Sequence, residues 1–280
     1  MPNVTAPVRL DAAPVPPDLR PYVWALVERR DTVPMGTAIE LPDPNPLLQF
    51  VIGADYLRRR REGGGDFAPA PPIALIGPTA AVSEARVAGP VHVFCAVLTH
   101  LGATTLAQCS VAPLVDRRVG VKDLDLPDED VVARLQMCPS FRARSAIVIR
   151  WLRNALASRR LYCERDVKLT GAIAQGLLVG TVSSIAEDMG VSVRGLHKRL
   201  SRMSGWSPKR LLRIARLQSV LKQIHPKPWD DPDGRDVMLE FHDQAHFAKD
   251  FKQLTGVTPS QYGAAKRKLG DRLINTLFLT

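Results

Sequence analysis

The chain has 280 residues, 38 Lys/Arg against 28 Asp/Glu, a net charge of +10 and 45% hydrophobic residues. That length suits two ordinary domains, each able to bury a core, and the basic excess suits a polyanionic partner. No apolar run reaches membrane-spanning length and no charged start precedes an apolar block, so no membrane partner and no secretory signal are expected, and the cytoplasm is the expected location.

Residues 1–17 contain five prolines and no periodic pattern, which predicts a flexible tail. Residues 18–30 carry apolar positions at both helical and strand spacing, and the pattern leaves the two open. The turn cluster LPDPNP at 41–46 precedes LLQFVIG, an apolar run that reads as a buried strand. RRRREGGG at 58–65 reads as a solvated loop, and PPIALIGP at 71–78 as a second bounded strand. Residues 81–88 and 91–99 flank Gly89-Pro90 and read as two strands joined by a tight turn. Residues 102–108 and 111–115 read as short helical pieces. This half therefore predicts a β-rich domain over 18–140, a small barrel or sheet with short helices.

Residues 141–160 carry Ile147, Trp151, Leu152, Ala155 and Leu156 as a helical stripe, with six arginines and no acid. They read as a basic linker helix that packs on its own domain or carries a homodimer contact through Trp151 and Leu152. Cys95, Cys109, Cys138 and Cys163 have neither paired nor zinc-finger spacing, so buried reduced thiols are expected and neither metal nor cofactor is implied.

The most informative stretch is 181–223. Thr181 is placed to cap a short helix faced by Ile185, Ala186 and Met189, and Gly190 to end it. Ser192 can cap a second helix, whose Leu196, Leu200 and Met203 form one face before Gly205. Ser207-Pro208 opens a third, long helix. This is the layout of a helix-turn-helix, whose second helix enters the DNA major groove. The outward positions of that helix hold Arg194, His197, Lys198, Arg199 and Arg202 without an acid. Residues 161–227 hold twelve Lys/Arg and four Asp/Glu, so the basic excess gathers here.

The pattern recurs at a constant offset of 51: LHKRLSRMSGWSP at 196–208 answers FAKDFKQLTGVTP at 247–259. Leu196, Leu200, Met203, Gly205 and Pro208 match Phe247, Phe251, Leu254, Gly256 and Pro259. Apart from one exposed lysine, Lys198 matching Lys249, every match is a core, terminator or cap position, which implies that one supersecondary unit is used twice. Its two copies and the long helix between them predict an all-α C-terminal domain over 161–270, giving an α+β chain overall.

These motifs resemble the AraC/XylS transcription regulators. The stretch FHDQAHFAKDFKQLTGVTPSQY and the G-x-S/T-P of both units carry the likeness. The resemblance implies a transcription regulator rather than an enzyme, bound to double-stranded DNA, with an RNA polymerase contact if it activates. It implies base contacts by Arg194, His197 and Lys198, then by Gln244, His246 and Lys249. Thr181, Arg199, Arg202, Lys209, Arg210 and Lys252 are the phosphate candidates. More weakly, the first half resembles effector-binding β-barrels, which implies a small-molecule effector in an apolar pocket. The chain departs from the family at RDVMLEF, 235–241, where Arg235, Asp236 and Glu240 replace small or apolar residues. The supporting helix of the second unit is therefore expected to be short or shifted.

The rival from another class is an enzyme or a cysteine-based alkylation or redox sensor in the first half. Its candidate groups are His92, Cys95 and His100. An extended strand puts His92 and Cys95 on opposite faces. No phosphate loop, nucleophile elbow or H-E-x-x-H is present.

Overall fold

The computed structural model describes residues 9–31, 36–60, 65–127, 130–157, 159, 164–174, 181–224 and 244–262. They form an N-terminal antiparallel β domain with short helices, followed by a helical helix-turn-helix region.

The strands are β1 (Arg9–Pro14), β2 (Val23–Asp31), β3 (Gly36–Glu40), β4 (Leu47–Val51), β5 (Tyr56–Arg60), β6 (Ala68–Pro69), β7 (Ile73–Ile76), β8 (Ser83–Val87), β9 (Val91–Leu98) and β10 (Arg118–Gly120). One sheet runs β1-β2-β9-β4-β7-β10 and the other β3-β8-β5-β6. Side-chain alternation gives the larger sheet two faces. Leu26, Leu48, Phe50, Leu75, Phe94 and Leu98 turn to one side. There they meet α1 (His100–Ala107), α2 (Val131–Met137) and α3 (Phe141–Ala157). On the other side Val51, Val91 and Val93 pack on Ala85 and Val87 of the smaller sheet.

Three expectations change here. Residues 9–14 are not tail but β1, paired along β2 from Arg9↔Arg30 to Pro14↔Ala25. Gly89-Pro90 does join two strands, β8 and β9, but these belong to different sheets. Arg58, Arg59 and Arg60 lie in β5 rather than in a loop. Arg59 pairs with Glu84 at 2.8 Å on one face, while Arg58 pairs with Glu40 on the other. Finally, Trp151 and Leu152 are buried in their own domain's core. Trp151 meets Phe50 edge-on with centroids 5.7 Å apart, and its Nε1 donates to the Pro127 carbonyl at 3.0 Å. They are not available as a dimer contact.

α3 is locked to the sheet by charge as well. Glu28 of β2 is fully buried, yet accepts from Arg144 Nη2 at 3.2 Å, pairs with the Arg144 guanidinium at 2.7 Å and with Arg30 at 3.2 Å, and contacts His92. Burial alone would raise its carboxyl, but the hydrogen bonds to His92 and Arg144 hold it below the usual carboxylate range. His92 and Cys95 do point to opposite faces: His92 joins Glu28 on the helix side, while Cys95 lies in the sheet's buried interior. Cys109 is exposed and Cys138 half-buried, so the expectation of four buried thiols fails at both; Cys163 lies outside the described residues. The inter-sheet face is not wholly apolar either. Glu40 sits between Arg58 and Arg118, and Arg118 also donates to the buried Gln49. No helix among the described residues is long and apolar enough to cross a membrane.

Candidate nucleic-acid interface

The C-terminal region holds α4 (Glu164–Ala174), α5 (Val182–Asp188), α6 (Val193–Ser204), α7 (Pro208–Ile224) and α8 (Gln244–Thr255). Sequence periodicity gave no sign of α4, whose Leu169 and Ile173 complete the core of the first unit.

α5 begins with a reciprocal cap. Thr181 Oγ1 accepts from Ser184 N at 3.1 Å, and Ser184 Oγ accepts from Thr181 N at 3.1 Å. The phosphate candidate Thr181 is exposed, but its hydroxyl is already engaged in this cap. Gly190, at φ +61°, ends the helix, with Val191 N donating to Ala186 O at 2.9 Å and Gly190 N to Glu187 O at 2.9 Å. This pair of bonds turns the chain sharply into α6.

Ser192 Oγ caps α6 by accepting from Gly195 N at 3.1 Å. Leu196 and Leu200 are fully buried and Met203 nearly so, packed with Ile185, Ala186 and Ile214. Arg194, His197, Lys198 and Arg202 are exposed, and Arg199 is half-buried. With 3.6 residues per turn, Val193 and Arg194 stand directly below His197 and Lys198. These four side chains form one outward patch at the tip of the helix.

At the start of α7, Lys209 and Arg210 are exposed, and Arg210 lies 6.0 Å from the Trp206 ring centroid. In the second unit Lys249 and Lys252 are exposed. The side chains of Gln244 and His246 lie outside the described residues, as do 225–243 and the family departures at Arg235, Asp236 and Glu240. The 51-residue offset puts Lys249 at the position of Lys198. It puts His246 at that of Gly195, however, and puts Ala245 and Ala248 where the first unit has Arg194 and His197. By repeat position the second helix therefore has fewer polar residues in the places that form the outward patch of the first. It is also cross-tied: Arg213 of α7 donates to Asp250 at 3.0 Å and to Gln253 at 2.8 Å. Asp250 takes the place of Arg199, so an acid stands where the first unit has a cation.

Both units are seated on the β domain. Ala80 and Val115 pack on the first unit's core, and a 3₁₀ turn at Ala112–Leu114 touches α6. Leu41 and Val82 join Leu217, Leu221, Phe251 and Tyr262 in a cluster under the second unit. Gln218 of α7 donates to the Pro42 carbonyl. Sequence reasoning missed this seam, because Leu41 and Val82 look like ordinary strand-flanking residues. Among the described residues, no group of His, Cys, Asp and Glu is placed to hold a metal.

A capped helix, a left-handed glycine turn and a second helix with a cation-rich outer patch define a helix-turn-helix DNA-binding domain. Residues 185–265 match a family model described as "Helix-turn-helix domain", and the chain carries such a domain there, of the AraC type. No curated protein matches the chain in sequence. Among solved structures, a point variant of apo ToxT from Vibrio cholerae strain SCE256 is similar at 9% identity and a TM-score of 0.46, over 85% of this chain and 97% of that one. Unsaturated fatty acid-bound wild-type ToxT from the same strain is similar at 9% identity and a TM-score of 0.42, over 94% and 97%. ToxT from Vibrio cholerae O395 bound to (E)-4-(8-methylnaphthalen-1-yl)but-3-enoic acid is similar at 11% identity and a TM-score of 0.45, over 92% and 98%.

Proposed function

We propose that the chain is a sequence-specific transcription regulator whose first helix-turn-helix supplies most of the base reading. The observation that carries this is the outward patch of α6, where Arg194, His197 and Lys198 are exposed together while the opposite face is consumed by the core. Arginine can donate twice to guanine O6 and N7, which makes Arg194 the leading base reader. Lys209, Arg210, Arg199, Arg202 and Lys252 take phosphate roles, and Lys249, with Gln244 and His246, forms a lesser second reading set. The two recognition helices engage successive major-groove segments on one face of the duplex, about one helical turn apart.

Control comes from the β domain. Because it touches both units, a change in its packing would alter how they are held. The charged residues between its sheets, Glu40, Arg58 and Arg118, favour a polar or charged effector over an apolar one. A homodimer and a contact with RNA polymerase complete the reading for an activator. The dimer surface then lies elsewhere than Trp151 and Leu152.

Selection of duplexes from a random pool by the full-length protein, followed by footprinting and salt titration, tests this. One enriched sequence is expected. Its affinity should fall steeply between about 50 and about 200 mM salt, because displaced counterions follow the phosphate contacts. Failure to enrich any sequence, or affinity indifferent to salt, would sink the reading.

A further inference from the structure

Val193 is a β-branched residue at the first position of α6, and it is 46% exposed. The helix does not need it for packing, since Leu196, Leu200 and Met203 already fill the inward face. Nor does helix propensity favour it, since β-branched residues are mediocre helix formers. It is also an apolar side chain on a tip otherwise made of Arg194, His197 and Lys198. Its position is well defined: Ser192 Oγ holds the first turn through Gly195 N at 3.1 Å, and Leu196 N bonds Ser192 O at 2.8 Å. A stiff isopropyl group therefore projects from the part of the helix that enters the groove deepest, one residue before the leading base reader.

In the major groove the apolar feature that base pairs present is the 5-methyl group of thymine. We propose that Val193 is a specificity residue that recognises a thymine methyl beside the base read by Arg194. The inference rests on the DNA-binding reading of α6 and adds a base preference to it. The residue at the same repeat position in the second unit is Gln244, whose amide suits adenine N6 and N7. The two half-sites would then differ at this place although the units share one architecture.

The test uses the full-length protein and its selected duplex, with each thymine of the first half-site replaced in turn by deoxyuridine. That change removes one methyl and leaves every hydrogen bond. At one thymine, uracil should weaken wild-type binding about fourfold, the effect of one buried methyl-sized group. Val193→Ala should bind the thymine and uracil duplexes alike at that position, while Arg194→Ala should keep the thymine preference. Because the readout is a ratio within each protein, any general loss of affinity in a variant cancels. The inference is overturned if no thymine is sensitive in the wild type, or if Val193→Ala keeps the preference. If no specific duplex is selected at all, the base-reading claim fails and this one with it. A specific duplex indifferent to uracil removes only the role of Val193.

Discussion

Ser204 and Thr255, 51 residues apart, close the two recognition helices with the same buried clamp. Ser204 Oγ donates to Leu200 O at 2.8 Å and accepts from Trp206 N at 3.2 Å. Thr255 Oγ1 donates to Phe251 O at 2.8 Å and accepts from Val257 N at 3.3 Å. Gly205, at φ +74°, lies between Ser204 and Trp206, and Gly256, at φ +77°, between Thr255 and Val257. In each unit one hydroxyl ties the last turn of a helix to the residue beyond its glycine stop, which sets the direction of the next helix.

Removing the Ser204 hydroxyl would leave the N–H of the buried Trp206 without that acceptor. Ser204→Ala should therefore cost about 1–3 kcal/mol in urea unfolding. Ser204→Thr should cost much less, because Thr255 shows that threonine can make the clamp. Equal stability of Ser204→Ala and wild type would remove the clamp's importance.

The first unit was largely legible in sequence, because Thr181, Gly190, Ser192, Gly205 and Pro208 are punctuation that local chemistry dictates. The repeat likewise exposed the second unit, since it keeps terminators and core. What was hidden depended on contacts distant in sequence. RRRR at 58–61 looks like a loop until Glu40 and Glu84 are brought beside Arg58 and Arg59 by strand pairing. The stripe of α3 reads equally as a dimer face until Phe50 and Pro127 arrive against Trp151. The seam at Leu41 and Val82 has no local signature.

Two glycines give a test of the seam. Gly190 and Gly205 both have positive φ, so alanine at either is strained by about 1–2 kcal/mol. A Cβ on Gly190 would meet open space, but one on Gly205 would lie 2.7 Å from Ala112 Cα and 2.8 Å from Val115 Cγ2 of the β domain. Gly205→Ala should exceed Gly190→Ala by about 1–3 kcal/mol in unfolding free energy, as overpacking does. Equal costs would mean that the seam yields freely.

His100 should govern the onset of acid sensitivity. It is fully buried, and burial pushes its imidazole down from 6.5 to about 3. Between those values the unfolded chain takes up a proton that the folded chain refuses, so stability rises with pH across that window and falls on acidification. The slope from this group is about 1.4 kcal/mol per pH unit. Glu28 acts lower: its carboxyl is held below 4.5, so its contribution is intact above that value and is lost only as pH falls through the folded-state pKa. His100→Leu should flatten the unfolding profile above pH 4.5 and leave the lower loss in place. A variant whose profile follows wild type throughout would show that His100 is not the group responsible.

The sharpest prediction separates base reading from phosphate attraction. Arg194 and Lys198 stand one turn apart on the exposed face of α6, whereas Lys209 and Arg210 lie at the start of α7 beside the buried Trp206. If Arg194 grips a guanine edge, Arg194→Ala should lose about 1–3 kcal/mol on the selected duplex and relax preference at one position. Its affinity for scrambled duplex should change little, because base-edge contacts add almost nothing to non-specific binding. Lys209→Ala and Arg210→Ala should behave otherwise, weakening both duplexes alike and each lowering the salt slope by about one. The comparison is made by titrating all three variants against selected and scrambled duplexes at one fixed salt concentration. An equal loss on both duplexes for Arg194→Ala would reassign it to the phosphate backbone. The specific contacts of the first unit would then have to come from His197 and Lys198.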